Sequence, residues 1–331
     1  MIDTIYIEEG SEELPKSREI LSRFPKASVI QCSHYKEVFN PSNQSFRLQK
    51  KNPALILAQQ RGKLTHPIPL SYGVGGKHNF YFSHLLNCLY DCRYCFLQGM
   101  YPSAHYLLFV NFDHFKEEIK KISNSMDDEC WFFSGYDCDS LALESVTGFA
   151  SDFLPFFREL PNAWVELRTK SVAIQSLQKI APLERAVVAF SFTPQEISTQ
   201  LEKGVPSVQS RIKAMTQLAN QGWKVGLRID PLIDCKNFAG RYENLFNQIF
   251  KQLPTDAVHS VSLGAFRMPA GFFKKIEKQY PEEPLFAGDL LKNKEMIGYR
   301  NDFEKEAIKI CIKSLSQWIS SSKIFCCEQV S

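Results

Sequence analysis

No apolar run in this 331-residue chain approaches the roughly 18 residues needed to span a bilayer. The opening MIDTIYIEEGSEEL is acidic and lacks an apolar core, so we expect no signal peptide and a cytoplasmic protein. An excess of one charge is also missing. Lys and Arg number 39 against 36 Asp and Glu, a formal net charge of +3. A non-specific nucleic-acid binder is more basic, so composition permits an anionic partner without requiring one. Gly (16) and Pro (17) make only about a tenth of the chain, which excludes collagen-like and low-complexity readings. There is no long linker and no internal repeat at the roughly 20–50-residue periods of solenoids.

What is present is a folded chain of ordinary make-up, 44% hydrophobic and 23% charged, with 26 Phe available for its core. From about residue 78, short β-rich runs alternate with helical patterns. The strand candidates are 78–86, 130–135, 164–169, 186–192, 223–230 and 258–266. They are apolar on both faces, as a buried parallel sheet requires. Helix candidates lie between them at 112–122, 141–159, 172–180, 207–220 and 242–253. In 207–220, Val208, Ile212, Met215 and Leu218 recur at helical spacing, and Gly222 supplies a stop. Six such units predict an α/β fold, a partial (β/α)6 barrel with right-handed crossovers. A doubly wound sheet is the alternative. Residues 1–75 form an N-terminal extension with β-like runs at 4–8 and 27–32 and a basic stretch at 47–51. Residues 76–270 form the barrel. Residues 271–331 form a helical cap, with Phe303, Ala307, Cys311 and Leu315 on one face and one end of the barrel to cover.

Ten cysteines without an export signal argue against a disulfide framework and for a metal site. Only Cys88, Cys92 and Cys95 are closely grouped. Their spacing is C-x3-C-x2-C, directly after the first strand candidate and on the face where α/β barrels keep their chemistry. Three such thiolates can each bind one iron of a [4Fe–4S] cubane and leave the fourth iron open. The spacing also admits other readings: three core cysteines, a zinc site completed by His84 or His105, or an electron-transfer cluster with a fourth cysteine from elsewhere.

On a β/α array, this motif, with an aromatic residue at Tyr94, resembles the radical S-adenosylmethionine (SAM) superfamily. The stretch Cys92-Arg93-Tyr94-Cys95-Phe96-Leu97-Gln98 is similar to that of the spore photoproduct lyase family. So are V-E-L-R-T-K-S-V at 165–172, Phe190-Ser191-Phe192-Thr193, residues 202–206 with Arg211 and Ala214, and L-G-A-F-R at 263–267. The likeness covers about 75–270. It implies a [4Fe–4S] cluster on Cys88, Cys92 and Cys95, SAM as cofactor, and an external electron donor such as flavodoxin or ferredoxin. It also implies a DNA thymine photoproduct, or a related substrate, as target of a 5′-deoxyadenosyl radical. Lys170 would pair with the SAM carboxylate, and Ser191, Ser134 and Tyr94 would complete the cofactor site.

The family returns a hydrogen atom to its product from a cysteine, with tyrosines near the cluster as relay. Our alignment sets Tyr136 at that donor position, with Cys138 two residues on. The relay tyrosine after the third cluster cysteine is Phe96, while Tyr94 is kept. Cys138 is the better donor, since S–H yields hydrogen to a carbon radical readily and Asp137 and Asp139 disfavour its thiolate. The altered donor region leaves two alternatives: a radical SAM enzyme on an unknown nucleotide or small molecule, or a non-catalytic iron–sulfur or other metal-binding protein. Gly73-Val74-Gly75-Gly76 reads as a turn, Arg47–Lys51 as a solvated face, Cys326-Cys327 as unimportant, and Arg228 and Arg267 as anion contacts at the barrel mouth.

Overall fold

The computed structural model describes residues 2–42 and 44–327. Six parallel strands, β1 (His78–Phe82), β2 (Cys130–Ser134), β3 (Ala163–Thr169), β4 (Ala186–Ser191), β5 (Lys224–Leu232) and β6 (Val258–Ala265), follow one another in the sheet without reversal. A doubly wound sheet needs a point where strand order turns back. None occurs here, so the half-barrel reading holds. Thr65–Pro67 closes the β1 edge antiparallel, and Ile324–Cys326 extends the β6 edge parallel.

The crossover helices are α1 (Phe112–Asn124), α2 (Phe149–Phe157), α3 (Gln175–Gln178), α4 (Val208–Asn220) and α5 (Phe238–Phe250). The expected helix at 141–159 is broken because Gly148 sits at φ 59, in the left-handed region that ends helices. Beyond it the Glu144 carboxylate accepts hydrogen bonds from the amides of Ala150 (2.9 Å) and Ser151 (3.1 Å) and seats α2. The expected 172–180 helix shrinks to the single turn of α3. The C-terminal helix α6 (Asn301–Leu315) does not cover a barrel end. It packs beside α5 and β6 on the flank of the sheet, with Phe303 against Phe238 and, just past its end, Trp318 stacked on Phe250.

Side chains alternate along the strands. One face, with Phe132, Leu167, Phe190 and Leu227, packs under the helices as the main core. The concave face is layered. Trp131 and Trp164 stack at the lower end, with ring centroids 4.7 Å apart. Above them Glu166 of β3 meets Arg228 of β5. Nη2 to Oε2 is 2.6 Å and Nε to Oε1 is 3.0 Å, and both residues are fully buried. Three further contacts, to Ser260 O, Ser260 Oγ and Leu227 O, match the remaining N–H groups of the guanidinium. Room for it comes from Gly226, where a Cβ would lie 2.8 Å from Arg228 Nη2. Arg228 is therefore a brace inside the half-barrel and not an anion contact at its mouth.

A second sheet runs Ser28–Cys32, Thr4–Glu8, Leu55–Ala58, Tyr106–Phe109 and Leu85–Leu86, the first four strands parallel and the last antiparallel. The 78–86 candidate is thus two strands. After β1 the chain leaves the large sheet at Ser83–His84 and pairs Leu85–Leu86 with the small one. It returns to the large sheet only at β2. The Cys88–Cys95 loop belongs to this excursion and hangs between the two sheets. Among the described residues, no helix is long and apolar enough to cross a membrane.

Candidate functional site

A cavity of about 640 Å³ opens above the carboxyl ends of the strands. Tyr81, Ser134, Thr169, Ser191, Asp230 and Phe266 reach it from the ends of β1 to β6 or the residue that follows. The loop that crosses it is held locally. Asn87, at φ 72, donates to the carbonyls of Ser103 (2.8 Å) and His105 (2.7 Å). Lys50 donates to the Cys88 carbonyl. The loop also forms a short antiparallel ladder with the chain after β4, Cys92 opposite Glu202 and Asp91 opposite Lys203. The Arg93 amide adds a bond to Leu201 O at 2.8 Å.

Cys88, Cys92 and Cys95 all line the cavity. Burial raises each thiol above its ordinary value, Cys88 to about 12, so as a free triad they stay protonated. Such buried thiols ionise only against strong positive charge, which iron supplies. Among the described residues, no three His, Cys, Asp or Glu side chains converge as a single ion demands. Cubane ligands sit on separate irons, so three thiols that need not converge on one point fit a cluster. Neither histidine completes a zinc site. His84 is buried and stacked on Phe149 at 3.6 Å, where burial lowers its pKa to about 3. His105 Nδ1 accepts from the Ala54 amide.

The other expected site residues face the same cavity: Tyr94, Ser134, Tyr136, Cys138, Lys170 and Ser191. Tyr94 is buried, and its hydroxyl donates to the Glu202 carboxylate. Lys170 Nζ lies 5.6 Å from the centre of the Tyr94 ring. The Lys170 amide donates to Asp139 Oδ2 at 2.6 Å, and Asp139 Oδ1 takes Thr169 Oγ1 at 2.7 Å. Asp139 thus ties the exit of β2 to that of β3. Ser134 shares its hydroxyl with Ser140 Oγ (2.8 Å) and donates to Glu166 O (3.1 Å). Cys138 is buried. Its thiol is pushed well up, first by burial, then by Cys88, Asp139 and Asp137. Tyr136 is 48% exposed at the rim, its ring between Tyr81 (4.6 Å) and Phe96 (5.5 Å).

Sequence reasoning missed several cavity residues. Lys50, read as part of a solvated face, reaches the cysteine loop. Arg168 joins Arg267 on the wall, Arg267 lying 3.7 Å from Asp230. Cys327, read as unimportant, follows the edge strand on β6 into the cavity lining. The readable signal was position: each of these except Lys50 lies at or just past a strand end.

The family model for spore photoproduct lyase matches residues 1–300, well beyond the 75–270 read from the motifs. Spore photoproduct lyase of Bacillus subtilis (strain 168) is 20% identical over 299 residues, covering 85% of this chain and 83% of the relative. That of Geobacillus sp. (strain Y412MC61) is 23% identical over 204 residues, 60% of this chain and 59% of the relative. Among solved structures, a spore photoproduct lyase mutant superimposes with a TM-score of 0.86 at 17% identity, covering 99% of this chain and 98% of the other. A double mutant with bound AdoMet and dinucleoside spore photoproduct gives 0.85 at 17%, with the same coverage. The strand-end cavity and its cysteine loop agree with the match along nearly the whole chain: this protein belongs to the spore photoproduct lyase family of radical SAM enzymes, which work with a [4Fe–4S] cluster and SAM.

Proposed function

We propose that this chain repairs a methylene-bridged thymine dimer in DNA, and that Cys138 returns the hydrogen atom to the product. One observation carries the reading: a single chamber of about 640 Å³ gathers the three cluster cysteines, Lys170, Ser191 and the buried thiol of Cys138. Bound there, the cluster and SAM would provide the radical chemistry by which hydrogen is taken from the substrate. Everything else falls to side chains. Cys88, Cys92 and Cys95 hold the irons. Lys170 offers a point charge to the SAM carboxylate, and Ser191 a hydroxyl beside it. Tyr94 and Ser134 form the adjoining walls. With substrate seated, the walls of the cavity would shield a radical from side reactions. Burial first, and the nearby Cys88, Asp139 and Asp137 after it, keep Cys138 as S–H, so it holds the atom it must give away. Tyr136, half-exposed at the rim, flanks the lesion and does not act as donor. Arg168 and Arg267 offer cationic contacts to the phosphate chain. An acidic one-electron carrier of the flavodoxin or ferredoxin kind supplies the reducing equivalent. Ten cysteines with no disulfide among the described residues suit a reducing cytoplasm.

The test is anaerobic reconstitution, reduction with dithionite, and a dinucleotide photoproduct as substrate. Recovered thymine with 5′-deoxyadenosine formed supports the reading. SAM cleavage without any thymine overturns the substrate. Cys138→Ala should divert product to off-pathway adducts while SAM cleavage continues, and Tyr136→Phe should not. The reverse pattern would move the donor to Tyr136.

A further inference from the structure

We infer that Glu202 and Arg211 are positioning residues for SAM: together they fix the cysteine loop against the end of β4 and keep Lys170 free for the cofactor. The inference rests on the SAM-binding reading and is independent of the lesion.

Both side chains are fully or almost fully buried. Arg211 Nη2 donates to Glu202 Oε2 at 2.7 Å and to Ser198 Oγ at 2.7 Å. Ser198 Oγ in turn donates to Glu202 Oε2 at 2.6 Å. The other arm of Arg211 donates to the carbonyl of Ser191 at 2.8 Å. On the far side, Glu202 Oε1 accepts the hydroxyl of Tyr94, which stands between Cys92 and Cys95. The backbone of Glu202 pairs with that of Cys92. Polar contacts therefore run unbroken from Ser191 through Arg211 and Glu202 to the middle of the cysteine motif. SAM must be gripped at both ends of that path, by the open iron of the loop and by Ser191 and Lys170. Its affinity reads the distance the path sets.

The second part is electrostatic. Lys170 lies over the Tyr94 ring, whose hydroxyl is bound to the Glu202 carboxylate. An uncompensated buried Glu202 would claim the ammonium for itself. Arg211 answers the carboxylate directly, so the charge of Lys170 is left for the SAM carboxylate. An apolar pair of similar volume would be as stable or more so. What it could not do is orient Tyr94 and spare Lys170.

The full chain, anaerobically reconstituted, provides the test. SAM affinity is measured by equilibrium dialysis, and the EPR signal of the reduced cluster is recorded with and without SAM. Iron content and circular dichroism are followed in parallel. Glu202→Gln with Arg211→Met should keep iron and fold yet bind SAM more weakly by about tenfold or more, a loss of about 1.4 kcal/mol, with a smaller EPR change on SAM addition. The matched control, Glu166→Gln with Arg228→Met, should leave both readouts near wild type. If the Glu202/Arg211 variant does not fold or hold iron, Tyr94→Phe replaces it. It deletes one O–H and should show the same weakening, non-additive with Glu202→Gln. Wild-type affinity in whichever variant is read, or equal weakening by the two Glu–Arg pairs, overturns the inference. Failure of the wild type to bind SAM would instead sink the reading beneath it.

Discussion

Two buried Glu–Arg pairs sit in this half-barrel, and they differ in what they touch. Glu166–Arg228 lies within the sheet floor, and every N–H of its guanidinium meets an acceptor on β3, β5 or β6. Glu202–Arg211 lies behind the cysteine loop. Its guanidinium leaves Nε without a partner, and its carboxylate reaches the cavity wall through Tyr94. In both, burial alone would raise the carboxylate pKa, but the paired arginine and the neighbouring donors outweigh it and hold the group below its ordinary value. The chemistry of the two pairs is the same. Only the second connects two parts of the site, so only there should loss of the pair be felt as altered binding.

Mutations can break or sharpen this contrast. The largest effect belongs to the loop itself. Cys92→Ala should abolish cluster retention, with iron falling from about four per chain to near none, while the dichroism of the half-barrel stays native. Retention of a full cluster would mean that another residue holds the third iron. Next comes the floor. Arg228→Met removes the closer of the two arginines on the buried Glu166 and leaves Arg168, 3.4 Å away, as its partner, which costs up to about 3–5 kcal/mol in a denaturant titration. A loss below 1 kcal/mol would show that the floor takes up water.

Acid should reveal both pairs and one buried histidine. The two depressed carboxylates contribute stability that is present above their unfolded pKa, near the ordinary 4.5, and is lost as pH falls through their lower folded values. His84 acts higher on the scale. Its folded pKa of about 3 lies below the ordinary 6.5, so the unfolded chain binds the extra proton and stability falls as pH drops from 6.5 toward 3. Between pH 7 and 5 that loss is on the order of 2 kcal/mol. His84→Phe should flatten this part of the curve, and an unchanged slope would exclude His84 as its cause. The smallest effect is at the rim. Tyr136→Ala removes a half-exposed ring packed on Tyr81 and Phe96 and should cost about 0.5–1.5 kcal/mol, with iron content unchanged.

Much of this arrangement was legible in the residues. The six strands read from doubly apolar runs appear in sequential order, and the cysteine spacing pointed to the loop that crosses the cavity. Less legible was whatever depends on two distant segments meeting. Leu55–Ala58 and Tyr106–Phe109 are too short to announce a second sheet, yet they pair with each other and so carry the cysteine loop away from β1. Glu202 and Arg211 were visible only as part of a family pattern, because a buried ion pair has no local signature. Arg228 looked like a mouth residue because it lies near a strand end. Alternation turns it inward, and the space left by Gly226 decides the matter.

The latch between Cys92 and Glu202 also bears on biosynthesis. The partner that seats Tyr94 lies 108 residues further along the chain. A ribosome delivers the three loop cysteines long before it delivers the segment that latches their loop. If these cysteines hold the cluster, an arrested nascent chain ending before Leu201 should take up no stable iron, and one extending well past Glu202 should.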